Sequence, residues 1–323
     1  MSHSIENFLS YTSVGLYCAA GDFYIDPRRP VHKALISHAH SDHAVPNSGN
    51  IYATKATRQL MSSRYSNYLR SHFHEVQHRN KFPLGEVEVT FYPAGHILGS
   101  AQILMEHKGV RYLYTGDFKI QSDESCEKLE FVNADILITE TTFADPAYDH
   151  PEPVNEIAKI NDIKDKPIML GAYSIGKAQR LTWLISRHCP EKKIFVQREI
   201  SKFHEVYEKA GINLGNWQLY SRDEFKDETE GVYIVPPNWL SKNSKNKKVY
   251  KAFATGWKRY FFYCDSLLHI SDHADWKGIL TMVEKVQPSK IFTLHGNGSH
   301  LKEHLKDKVE VVLLNRHNEK KTK

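Results

Sequence analysis

The chain has 323 residues, with 43 Lys and Arg against 38 Asp and Glu for a formal charge of +5, and is 41% apolar and 25% charged. These values exclude a wholly disordered chain, a collagen and a multispan membrane protein, and at about 100–200 residues per domain they leave one large domain or two modest ones. The unusual count is 19 histidines, and because imidazole is both the commonest metal ligand and a frequent proton-transfer group, their placement matters most.

Residues Met1 to Glu6 lack a basic start followed by an apolar core, so no signal peptide is expected, and no run approaches the roughly 18 apolar residues of a spanning helix. Cys18, Cys126, Cys189 and Cys264 form no CxxC pair, which argues against a disulfide framework and fits a reducing cytoplasm. The expectation is a cytoplasmic protein without a membrane partner. Up to residue 145 the chain reads as short strands with polar tips. Ala34-Leu35-Ile36-Ser37 runs into His38. Val87 to Tyr92 alternates as a half-buried strand should, and leads to Gly95-His96. Ala101 to Met105 turns at Lys108-Gly109 and returns as Arg111 to Tyr114, a hairpin that ends in Thr115-Gly116-Asp117. Asp135 to Thr139 ends in Glu140. Rigid strands that deliver polar tips to one rim are a common way to build an active site.

After Asp145-Pro146 the pattern changes. Pro167 to Gly171 predicts a strand, followed by a helix through Ser174 to Leu181, and Lys192 to Val196 and Gly231 to Val235 predict further strands of a small α/β layer. Ser241 to Lys248 reads as a polar basic loop, and His72, His74 and His78 as a surface or inter-domain loop. From about residue 265 the first pattern returns, with Leu267 to Ile270 leading to Ser271-Asp272-His273 and Lys290 to Leu294 leading to His295-Gly296. The tail from Asn318 reads as disordered. The organisation is one domain (1–145 and 265–323) interrupted by another (146–264).

The sharpest signal is His38-Ala39-His40-Ser41-Asp42-His43. In an extended segment residues two apart point to the same side, so His38 and His40 can grip one ion, and a turn after them can direct Asp42 and His43 to a second. Imidazole with carboxylate suits zinc at about 2.0–2.2 Å. One motif supplies too few ligands for two ions, so His96, Asp117 and His295 at the other strand tips are the natural complement.

With these residues in place the chain resembles the metallo-β-lactamase superfamily, whose HxHxDH signature is His38 to His43. Gly95-His96 and Thr115-Gly116-Asp117-Phe118 are similar to its third and fourth motifs. Thr139 to Phe143, Ser271 to Asp275 and Leu294-His295-Gly296 resemble motifs A, B and C of the β-CASP branch of nucleases, and the opening Gly21 to Pro27 looks closest to bacterial ligase-associated DNA exonucleases. The resemblance implies an αββα sandwich with a small α/β β-CASP domain inserted. It implies one zinc on His38, His40 and His96, another on Asp42, His43 and His295, and Asp117 bridging, with Mn²⁺ as a substitute metal. Asp26 would steady the site from outside, with Asp22 its rival. Glu140 would orient His273, the proton donor to the leaving oxygen. The implied activity is phosphodiester hydrolysis from a DNA end, in DNA repair and in functional linkage to a DNA ligase. An RNA-processing nuclease is the alternative, favoured by His295, since histidine in motif C is typical of the branch's RNA enzymes. A small-substrate hydrolase is a distant third, and a metal-free scaffold that binds nucleic acid is opposed by the intact ligand set.

Softer signals concern the nucleic acid itself. A helix opened by Gly176-Lys177 can hold a phosphate, as readily as it can be an ordinary capped turn. Lys242, Lys245, Lys247, Lys248 and Lys251, with Trp257, Lys258, Arg259 and Tyr260 behind them, combine charge with stacking surface.

Overall fold

The computed structural model describes residues 3–5, 8–66, 70–221, 223, 228–259 and 263–314. Met1, Ser2, Glu6, Tyr260 and the tail from Asn318, named above, lie outside them. The chain divides into two compact units, one of Met1–Ser122, Glu127–Asp149 and His273–Lys323, the other of Asp123–Cys126 and His150–Asp272.

The first unit holds two seven-stranded sheets. One runs in sequence order through β1 His3–Ile5, β2 Leu9–Tyr11, β3 Leu16–Cys18, β4 Phe23–Ile25, β5 Lys33–Leu35, β6 Asn50–Thr54 and β7 His72–Val76. The other runs β8 Lys81–Leu84, β9 Val87–Pro93, β10 Ala101–His107, β11 Val110–Tyr114, β12 Ile136–Thr141, then β19 Lys290–Gly296 and β20 Glu310–Leu313. The period of two explains the layering. Ala101, Ile103 and Met105 of β10 and Ile136 and Ile138 of β12 turn inward onto Leu16, Phe23 and Leu35 of the facing sheet. Leu104, Leu137 and Ile291 turn the other way, onto Ile279, Met282 and Val286 of helix Trp276–Val286 and Leu301 and Leu305 of helix Ser299–Leu305. Helix Lys55–Tyr65 follows β6 directly, capped by Thr54, whose hydroxyl accepts from Thr57 N at 3.2 Å.

The second unit is one parallel six-stranded sheet, ordered β15 Trp217–Leu219, β14 Lys193–Val196, β16 Gly231–Val235, β13 Ile168–Gly171, β17 Tyr250–Ala254, β18 Ser266–Leu268. Ile168 and Leu170 face helix Lys177–His188, while Met169 faces Leu240 of helix Pro237–Lys242. Burial on both faces is why these strands read as continuous apolar runs.

Several elements differ from expectation. β18 pairs in parallel with β17, and Leu268 and Ile270 pack into the second unit's core, so the first unit resumes at His273 rather than near 265. An apolar run of that length fits either sheet, and only packing chooses. His72 and His74 lie on β7, an edge strand rather than a loop, where His74 stacks on Tyr52 with ring centroids 4.4 Å apart. The basic stretch from Ser241 begins inside a helix, because Pro237 at its first turn starts one. Glu140 is within β12 rather than beyond it.

Candidate metal centre

The signature motif leaves β5 through Ile36 and bends at Ser37, Ala39 and His40, and a turn closes behind it, with His43 N and Ala44 N both donating to His40 O at 3.1 and 2.8 Å. Helix Lys55–Tyr65 clamps this loop, since Arg64 donates to Ala39 O and Tyr65 OH to Ala44 O. His96 sits on the β9–β10 turn, where Ser100 Oγ accepts from His96 N and Ile97 N at 3.1 and 3.2 Å. Asp117 follows Gly116, whose φ of +56° and Ser37 Cβ only 2.9 Å from where its own Cβ would be leave room for glycine alone.

These loops converge on one carboxylate oxygen. Asp117 Oδ2 lies 3.4 Å from His43 Nε2, 3.5 Å from His38 Nε2, 3.8 Å from His96 Nε2 and 4.0 Å from His273 Nδ1. His40 Nδ1 is 3.2 Å from His38 Nε2 and 3.0 Å from His96 Nε2. Each of three sets (His38, His40, His96 and Asp117; Asp26, His38 and His43; Asp117, Glu140 and His273) has donor atoms within 4.8 Å of one another. The ring of His295 lies 4.8 Å from that of His43, and Asp42 Oδ2, on an exposed side chain, is 3.8 Å from His43 Nε2.

Asp26 is the carboxylate behind this cluster. It accepts from Ser37 N at 2.8 Å, from Ser37 Oγ, from Tyr114 OH at 2.9 Å and from His43 Nδ1 at 2.8 Å. Asp22 is exposed and meets Tyr17 OH instead, so of the two rivals only Asp26 touches the cluster. Ser37 and Tyr114 escaped the sequence reading; the one available signal was a tyrosine on the inward face of β11. Burial and the Asp26 and Asp117 carboxylates push the Tyr114 phenol well above its ordinary range, which keeps its proton in place as a donor.

Burial drives His38 well below the usual imidazole range, and the crowd of His43, His96, His40 and His273 adds to it. Burial acts the same way on His43, but Asp117 and Asp26 outweigh it and lift that ring to about 10. A buried cluster that pulls a proton this strongly is an electrostatic well for a cation. Among the described residues the buried His43 Nε2 moreover has no hydrogen-bond partner, a cost of about 1–3 kcal/mol that a ligated ion removes. The donor set fits zinc.

Beside the cluster, His273 Nδ1 meets both oxygens of Glu140, at 3.1 and 2.8 Å. Glu140, itself buried, accepts from Phe118 N at 2.8 Å and Thr142 Oγ1 at 2.6 Å, which fixes its orientation.

The expected nucleic-acid contacts fare unevenly. Lys242, Lys245, Lys247 and Lys248 are exposed, and Arg259 lies 5.8 Å over the Trp257 ring. Lys251 is buried against Asp265 and Asn246 O, so it leaves the basic surface. Lys177 is corrected as well. The residue is 3% exposed, and its ammonium donates to Ile270 O and pairs with Asp272 at 3.3 Å, so it offers nothing to a phosphate. The helix it opens uses Gln179, which accepts from Gly176 N at 2.7 Å.

Residues 22–168 match the family described as a beta-lactamase superfamily domain, and 264–314 match a Zn-dependent metallo-hydrolase RNA specificity domain. A protein of Opitutus terrae named "Probable DNA ligase" is 32% identical over 92% of this chain and 30% of its own length. The Neurospora crassa endoribonuclease ysh-1 is 27% identical over 48% of this chain and 23% of its own. The chain thus spans less than a third of either relative. A crystal structure of an Enterococcus faecalis V583 protein of unknown function superposes with a TM-score of 0.61 at 15% identity, covering 88% of this chain and 79% of that one, and so shares the fold. Among the described residues no helix is long and apolar enough to cross a membrane. With the sandwich, the signature loop and both family matches in agreement, the chain belongs to the metallo-β-lactamase superfamily, in its β-CASP branch.

Proposed function

We propose that the protein is a two-zinc nuclease that hydrolyses phosphodiester bonds of DNA from an end, as a repair exonuclease of the ligase-associated type. The observation that carries the hydrolytic reading is the convergence of four imidazoles within 4.0 Å of Asp117 Oδ2, with the His273–Glu140 pair beside it. His38, His40 and His96 would hold one ion, Asp42, His43 and His295 the other, and Asp117 both. When bound, such a pair of ions supplies an activated nucleophile and positive charge for phosphate oxygens. Glu140 accepts the Nδ1 proton of His273, which leaves Nε2 to protonate the departing alkoxide, a step that contributes about 10²–10⁴-fold when the acid is well placed. The lysines Lys242, Lys245, Lys247 and Lys248 supply charge along the strand. DNA is favoured by the likeness to the "Probable DNA ligase" over most of this chain. RNA is the second reading, supported by the RNA specificity domain matched at 264–314 and by the endoribonuclease relative.

A panel of end-labelled single- and double-stranded DNA and RNA, with Zn²⁺ or Mn²⁺, tests both. DNA ladders that shorten from one end are expected. Faster cleavage of RNA selects the second reading, internal cuts remove the exonuclease, and intact substrates with zinc-loaded protein reject the nuclease.

A further inference from the structure

The Gly176-Lys177-Ala178-Gln179-Arg180 stretch is left unused by the reading above, yet it buries two cationic side chains in the second unit. Arg180 is 2% exposed and Lys177 3%. Arg180 Nε lies 3.3 Å from Asp123 Oδ2, and its Nη1 is 3.5 Å from Asp272 Oδ1 and donates to Ser271 O. Lys177, one turn earlier on the same helix face, donates to Ile270 O and lies 3.3 Å from the same Asp272 oxygen. Asp123 is held in turn by Ser125, whose N and Oγ donate to its Oδ1 at 2.9 and 2.6 Å. Lys177 and Arg180 thus face Asp123 and Asp272 out of water. Buried ion pairs are commonly no more stabilising than apolar side chains of the same volume, and their best-attested use is to fix one register.

The register fixed here is that of the chain crossovers. Asp123–Cys126 belongs to the second unit although the sequence on both sides belongs to the first, and Asp272 is the last residue of the second unit before His273. One helical turn therefore grips the chain where it passes downstream of Asp117 and again immediately upstream of His273. We propose that Lys177 and Arg180 are positioning residues for His273: they hold Ile270 to Asp272, the three residues that lead directly into the proton donor. The inference rests on the reading of His273 as the proton donor.

Arg180→Lys keeps the charge but loses the planar fork that spans Asp123, Ser271 and Asp272; Lys177→Arg is the second variant should the first fail to fold. Two substrates separate the outcomes: the end-labelled nucleic acid chosen by the panel above, whose alkoxide needs a proton, and bis(p-nitrophenyl) phosphate, whose leaving group does not. At saturating nucleic acid, Arg180→Lys is expected to lose about 10- to 100-fold in kcat with KM and zinc content unchanged, while hydrolysis of the activated ester stays within about twofold. His273→Ala should show the same discrimination, and Arg180→Lys should add no loss in that background. Equal losses on both substrates, or a rise in KM alone, would overturn the positioning role. Discrimination in His273→Ala but not in the Arg180 and Lys177 variants rejects the positioning role alone. Its absence from His273→Ala rejects the proton-donor reading and this inference with it.

Discussion

Asp26 concentrates four hydrogen bonds on one buried carboxylate, from Ser37 N, Ser37 Oγ, Tyr114 OH and His43 Nδ1. Its φ of +42° is uncommon for a residue with a Cβ, and such strain persists where surrounding contacts over-determine it. The consequence for His43 is a fixed ring orientation: Nδ1 donates backward, and Nε2 faces Asp117, where it carries a proton in the metal-free protein and would give that proton up to hold an ion. Asp26→Asn replaces one acceptor oxygen with an NH₂ that confronts other donors, and removes the charge that supports His43. Zinc affinity should fall by about 10–100-fold, the usual cost of disturbing a ligand's outer partner, as measured by competition with a chelator. Unchanged affinity would show that His43 needs no such support. The HxHxDH spacing made His38, His40 and His43 legible as a group. It left open Asp22 against Asp26, because only the fold decides which loop carboxylate reaches an imidazole.

At the scale of elements, the β12–β19 pairing delivers His295 through an irregularity. Glu140 opposes Leu294 and Thr141 opposes Gly296, so His295 is the extra, unopposed residue of a bulge, with φ of +50°. Bulges re-aim side chains, and this one turns His295 toward His43. Gly296 permits it: its φ is +136°, and a Cβ there would lie 2.1 Å from Thr141 O. Gly296→Ala should therefore cost at least about 1–3 kcal/mol and reduce bound zinc from two equivalents toward one, read by thermal melting and metal analysis. A variant with full metal and an unchanged melt would remove His295 from the ligand set. The strands themselves were readable from period-two alternation and turn residues. The bulge was not, because a single extra residue leaves the apolar pattern of β19 intact.

Over the whole molecule, the centre makes stability depend on a cation. In metal-free protein His43 is raised to about 10 from 6.5, so between those values the folded state holds a proton that the unfolded chain has released. Its contribution is complete below pH 6.5 and is lost as pH rises through 10. His38, held well below its usual range, is neutral in both states over this window and adds no slope. Metal-free protein should melt progressively lower from pH 6.5 to 10, whereas zinc-loaded protein, with the ion in place of that proton, should lose this slope. Equal slopes would mean that His43 does not face the metal. The family and the ligand alphabet were determined by sequence alone, since HxHxDH after an apolar strand and ligand-type residues at strand tips are local patterns. Tertiary structure alone decided how they are used. It buried Lys177 and Lys251 as internal ion-pair partners, put Asp26 rather than Asp22 behind His43, assigned β18 to the inserted sheet, and gathered Asp117, Glu140 and His273 from distant segments. Each of these outcomes depends on which groups lose water together, and that is a property of packing that no stretch of sequence contains.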